Sequence, residues 1–149
     1  MKAIKEILLF IWQLPQNLLG IFILLLKTRS KRAYEFIINL EKVTVYYVAG
    51  FAGSGISLGK WIIIDKRLMT GSSSNSATTT VRHEHGHQKQ SLYLGWLYLV
   101  VIGLPSLCGN IIDRIFHQKW TRARRIKWYY SQPWEKWADK LGGVKRWCQ

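Results

Sequence analysis

Twenty-one consecutive residues, Leu92 to Ile112, carry no charge. About 20 apolar residues in a helix cross a bilayer, so this run reads as a membrane segment or as a buried helix. Gly103 and Pro105 break it after roughly three turns, which favours a helical hairpin over one straight helix. The fold depends on which it is, because residues able to bind a metal lie on both sides of the run.

A second uncharged stretch, Ile7 to Leu26, is interrupted by Gln13, Pro15, Gln16 and Asn17. It reads as a kinked span, a re-entrant hairpin turning at residues 15–17, or a helix lying in the interface. No A-x-A cleavage site follows, as a signal peptide would require. Lys27, Arg29, Lys31 and Arg32 follow instead, and the positive-inside rule places residues 27 onward on the cytoplasmic side. The expected organisation is a membrane-anchoring segment with a basic flank, 1–32, and one compact domain, 33–149.

The chain has 149 residues, 22 Lys plus Arg against 8 acids, and a formal net charge of +14. Such a charge implies nucleic acid, an anionic membrane surface or an acidic substrate as partner. Eight Trp and seven Tyr interleave with the basic residues, a pattern that suits a membrane interface. Trp12, Lys27, Arg29, Trp96, Arg122, Arg124, Arg125 and Trp128 are the expected membrane contacts. The stretch "TRARRIKWYY" would also suit a nucleic-acid-binding module, but the long apolar segments argue against one. Two cysteines make neither a disulfide framework nor a cysteine-type zinc site.

Residues 33–41 read as a short helix or linker. "VTVYYV", Val43 to Val48, and "WIIIDK", Trp61 to Lys66, read as strands, antiparallel to one another across a glycine-rich hairpin turn. That turn is no phosphate loop, because Ser54 stands where the pattern needs glycine and Trp61 where it needs Ser or Thr. Residues 70–80 read as a mobile polar loop whose last threonines cap a helix starting near Val81.

That helix carries His83-Glu84-His85-Gly86-His87, an H-E-x-x-H match. Residues i and i+4 share a helix face, so His83 and His87 can aim their rings at one metal ion. Glu84 sits beside them as a general base for a water at that metal. His85 points away and reads as an exposed neighbour. Catalytic zinc takes three protein ligands, and the downstream candidates are Asp113, His117, Glu135 and Asp139. Glu135 and Asp139 belong to "EKWAD" after Pro133, a residue suited to a helix start. The alternative for Glu135 is a surface pairing with Lys136 or Lys140.

"HEHGH" followed by "EKWAD" resembles the gluzincin branch of the zincin metallopeptidases. The resemblance implies an α+β, zincin-like domain with a short antiparallel hairpin or sheet, zinc-site helices, an N-terminal apolar membrane helix and a second apolar hairpin. It implies His83, His87 and Glu135 as Zn2+ ligands, Glu84 as general base and Asp139 as the partner of a ligand histidine's other nitrogen. His117, Tyr129 and Tyr130 are candidates to stabilise the oxyanion. A peptide or protein substrate would run alongside "WIIIDK" or "GISLG".

This ligand set constrains topology. If 92–112 crossed the bilayer, His83 and His87 would lie about 30 Å from Glu135. The expectation is therefore a hairpin at 92–112, a whole site on one face, and a membrane-associated metallopeptidase. The competing reading is a non-catalytic membrane protein that merely holds a metal.

Overall fold

The apolar runs of the sequence pair into one four-stranded mixed sheet, in a computed structural model that describes residues 2–27, 32–38, 41–50, 54–70 and 74–146. The strands are β1 (Arg32–Ile38), β2 (Glu41–Val48), β3 (Gly55–Leu58) and β4 (Trp61–Asp65), in the spatial order β1-β2-β4-β3. The helices are α1 (Lys2–Trp12), α2 (Leu14–Leu26), α3 (Arg67–Thr70), α4 (Ser74–Leu94), α5 (Leu104–Phe116), α6 (Arg122–Tyr130) and α7 (Pro133–Gly142). The class is α+β.

Three strand expectations are corrected. The residues read as a helix or linker at 33–41 form β1, antiparallel to β2 with Tyr34 opposite Val45. Tyr34, Phe36 and Ile38 pack on the core, a two-residue alternation that the outward-facing Ile37 obscures. β2 and β4 are parallel, not antiparallel, with Val45 opposite Ile62. "GISL" is itself a strand rather than part of a turn. The tight turn is Gly59-Lys60, and β4 returns between β2 and β3. With neighbours on both edges and cover on both faces, β4 reads as an unbroken apolar run.

One sheet face packs Val45, Tyr47, Ile62 and Ile64 against Val81 of α4. The other packs Val48 and Ile63 against Leu24 of α2. The N-terminal segment thus shares the core with the rest of the chain. It is bent by 91° between α1 and α2. Its interrupting polar residues point inward. Ser91 donates to Gln13 Oε1 (2.8 Å), Gln16 Nε2 donates to the Gly95 carbonyl (2.8 Å), and the Lys60 amide donates to Asn17 Oδ1 (3.0 Å).

Two helix expectations also change. Residues 74–80, read as loop, are the first turns of α4. Once the buried stretch from Val81 has nucleated a helix, adding polar residues to it costs little. The break expected at Gly103 and Pro105 lies instead at Gly95, where φ is +53° and the Trp12 ring fills the space of a side chain. Glycine alone takes that conformation cheaply. Past a short 3-10 turn, Gly95–Leu97, the chain runs helically from Leu99 to Phe116, with a π turn at Leu99–Gly103. The widened turn precedes Pro105 and accommodates the missing N–H. The run 92–112 therefore does turn back, at Gly95 rather than at Gly103 and Pro105, since Ser106 returns to Glu135 beside His87; the chain reverses again at 117–121, which sets Asp113 against Arg125 and Asn110 against Tyr129.

Candidate metal centre

α4 lies over the sheet and α7 crosses it closely. Small residues make that approach possible. A Cβ on Gly86 would meet the Ala138 carbonyl, and one on Gly142 would meet the Arg82 carbonyl. The crossing brings Glu135, at 0% exposure, to His83 and His87. Its surface pairing with lysine does not form.

Three atoms converge there. His83 Nε2 lies 3.1 Å from His87 Nε2 and 3.0 Å from Glu135 Oε2, and His87 Nε2 lies 3.3 Å from Glu135 Oε2. A tetrahedron with bonds of 2.0–2.2 Å has edges of about 3.4 Å, so the three atoms sit near three corners of one. Each imidazole is oriented from behind. His83 Nδ1 lies 2.7 Å from Asp139 Oδ1, and His87 Nδ1 lies 2.7 Å from Gln90 Oε1. Gln90 Nε2 donates to the Trp134 carbonyl (2.8 Å), which turns Oε1 toward the histidine. With both Nδ1 atoms so engaged, both Nε2 atoms and the carboxylate are aimed at one point, and the cluster can hold a metal ion.

The remaining support is a network of short bonds. Ser106, from α5, donates to Glu135 Oε1 at 2.7 Å and lies 2.7 Å from the Tyr129 hydroxyl. Asn110 Nδ2 donates to the same hydroxyl at 2.8 Å. Arg146 Nε donates to Asp139 Oδ2 at 2.7 Å, and its guanidinium stacks over the Tyr130 ring.

Three of the chain's eight acids, Glu84, Glu135 and Asp139, are buried here, which is costly without counter-charge. Burial pushes the His83 imidazole down, but hydrogen bonds to Asp139 and Glu135 and the nearby carboxylates outweigh it and raise its pKa to about 9. Burial alone would raise Glu135; hydrogen bonds from His83 and His87 hold it well below the usual carboxylate range. Burial raises Glu84, against the opposing pull of His83 and His87.

A cleft of about 970 Å³ opens over this cluster. One wall is β3, the free edge strand. A Cβ on Gly55 would come within 2.8 Å of Glu84 Oε1, so glycine lets the strand edge reach the carboxylate. "GISL", not the interior "WIIID", is the strand positioned at the site. Tyr129, Tyr130 and Tyr98 line the cleft. Tyr98 donates to the Ser57 carbonyl (3.1 Å). Tyr129 is engaged by Ser106 and Asn110. The Tyr130 ring stands edge-on to His83, with centroids 5.1 Å apart. Burial raises its hydroxyl to about 12, so it stays a donor.

Other expected residues sit elsewhere. His117 does not line the cleft; it stacks on Trp120, meets Trp128 edge-on, and lies 3.4 Å from Asp113. His85 is buried rather than exposed, because α4 packs beside β2. Its Nδ1 lies 3.0 Å from Gln88 Oε1, and its Nε2 lies 2.9 Å from Glu41 Oε2, an ion-pair distance without hydrogen-bond alignment. Of the expected membrane contacts, Trp12 and Trp96 are exposed and Lys27 is half-buried. Arg122 and Arg125 line the cleft, Arg124 stacks on Trp120, and Arg29 lies outside the described residues.

Gln90, Ser106 and Arg146 escaped the sequence reading. Gln90 carried a usable signal, since it stands three residues after His87 on the same helix face. Ser106 and Arg146 carried none. No protein-family model, curated protein or solved structure matches the chain.

Proposed function

We propose that this protein is a membrane-associated zinc metallopeptidase of gluzincin type. The observation that carries the reading is the convergence of His83 Nε2, His87 Nε2 and Glu135 Oε2 beside a buried Glu84 at the foot of an open cleft. Two imidazoles and a carboxylate are a usual donor set for catalytic zinc, which leaves one position open.

Bound zinc would polarise a substrate carbonyl and make a water more acidic. The residues do the rest. Glu84, with its affinity for protons raised by burial, takes a proton from the attacking water and delivers it to the leaving amine. Tyr130 donates to the oxyanion; its hydroxyl makes no hydrogen bond among the described residues, unlike those of Tyr98 and Tyr129. The edge of β3 offers backbone groups to an extended peptide.

The membrane part rests on inverted faces. α2 turns Gln16 and Asn17 inward and Leu18, Phe22 and Leu25 outward. α5 turns Ser106 and Asn110 toward the site's network and exposes Leu104, Leu107, Ile111 and Ile115. A protein in water does the reverse. The helix Leu99–Phe116 is long and apolar enough to cross a bilayer, but its uncharged part ends at Asp113 and at 1.5 Å per residue covers about 21 Å, short of the roughly 30 Å of hydrocarbon. We read α1, α2 and α5 as dipping into one leaflet, with the site at the cytoplasmic surface.

Purified protein should carry about one zinc per chain, and Glu84→Gln should keep it while peptide cleavage falls by roughly 10²–10⁴-fold. Full cleavage by Glu84→Gln with zinc bound would contradict the mechanism.

A further inference from the structure

The cleft's far wall suggests what enters it. α5 forms that wall, and its residues Leu107 and Ile111 line the cleft while being 56% and 45% exposed on the outer apolar face. The cleft's rim and the membrane-facing surface are one continuous surface. A chain anchored in the same leaflet reaches the metal site by passing over these two side chains without leaving the interface.

Beyond them the lining turns basic. Arg114, Arg122 and Arg125 face the cleft, with Asp113 as the acid beside them. Arg125 and Asp113 neutralise one another through a two-pronged contact, Nε to Oδ1 at 3.1 Å and Nη2 to Oδ2 at 2.6 Å. Arg114 and Arg122 are exposed and have no ion pair among the described residues. Two unneutralised guanidiniums at one end of a cleft favour a carboxylate or a phosphate, and of these a polypeptide in the cleft brings carboxylate.

We propose that the substrate is a membrane-anchored polypeptide carrying a carboxylate on one side of its scissile bond, held by Arg114 and Arg122. The inference rests on the metallopeptidase reading and names the substrate class for that site. The carboxylate comes from an internal Asp or Glu, or from a free C-terminus.

The test uses the zinc-loaded full chain in neutral phosphatidylcholine vesicles. Peptides with a randomised centre carry a Glu or a Lys cluster on one side, with or without a palmitoyl anchor. A third set has neutral flanks and a free or amidated C-terminus. Cleavage is read by mass spectrometry. The palmitoylated, Glu-flanked peptides should be cut at least ten times faster than their unanchored or Lys-flanked counterparts. Arg114→Glu with Arg122→Glu should reverse the preference between Glu and Lys flanks. If amidation abolishes cutting of the neutral set, the carboxylate is the terminus; if Glu flanks restore it, an internal acid serves. Equal cutting of anchored and free peptides, or a preference untouched by the charge reversal, overturns the proposal. The same peptides are also bound to Glu84→Gln protein. Selective binding of anchored, Glu-flanked peptide without any cleavage by the wild type supports the recognition surface and contradicts the peptidase reading. Absence of both contradicts both.

Discussion

His83 stands between opposing demands, and its proton reveals them. Without metal it is held charged by Asp139 and Glu135 despite full burial, with a pKa of about 9 against an ordinary 6.5. A group whose folded pKa is raised contributes stability that is fully present below the unfolded value and lost as pH rises through the folded one. Glu135, held low, contributes above its unfolded value and loses that on acidification. Glu84, raised by burial, adds to the loss as pH rises, so the metal-free Tm should fall from about pH 6.5 toward about pH 9. Metal needs a neutral imidazole and competes with that proton, so stabilisation by zinc should grow over the same range. Thermal melts at several pH values, with and without chelator, check this; a metal-free Tm that rises from about pH 6.5 to pH 9 would contradict it.

Among the elements, the α4–α7 crossing sets the site. Gly86 lies inside the H-E-x-x-H match at one of the two positions the pattern leaves free, yet the carbonyl of Ala138 occupies the space a side chain would need. Gly86→Ala should cost about 1–3 kcal/mol or more through overpacking, and should lower zinc affinity by moving Glu135 away from the histidines. Chemical denaturation and zinc titration measure the two effects; an unchanged affinity would mean that the crossing does not position the ligand. The motif histidines were legible in the sequence because helix spacing fixes which residues share a face. Glu135 and its helix were legible through the scarcity of acids and the resemblance of "EKWAD" to the gluzincin pattern. The parallel pairing of β2 with β4 was not legible, since "GISL" reads as a strand only through the gluzincin resemblance, while its flanking glycines read as a turn. The turn at Gly95 was hidden for another reason. Gly95, Gly103 and Pro105 are all breakers by composition, and packing of Trp12 decides between them.

At the scale of the whole molecule, α2 and α5 expose most of their apolar residues and turn polar ones inward, while the sheet keeps an apolar core. On the proposed membrane reading, the positive charge would add a hold on anionic head groups, worth about 1 kcal/mol per residue near the surface. Flotation with vesicles should show binding to neutral lipid that strengthens with anionic lipid and weakens, without vanishing, at high salt. Leu104→Glu with Leu107→Glu should release the protein while its zinc content stays constant. Complete release of the wild type by salt alone would mean that charge, not the apolar faces, holds it. The proposed site depends on one convergence, that of residues 83, 87 and 135 on a single ion. Zinc-edge X-ray absorption of the purified chain reads that convergence. The spectrum should show one zinc with two imidazole nitrogens and carboxylate oxygen at about 2.0–2.2 Å, and in Glu135→Ala the same two imidazoles with weakened binding. A wild-type spectrum without imidazole, or one that Glu135→Ala leaves unchanged in both coordination and affinity, would contradict it.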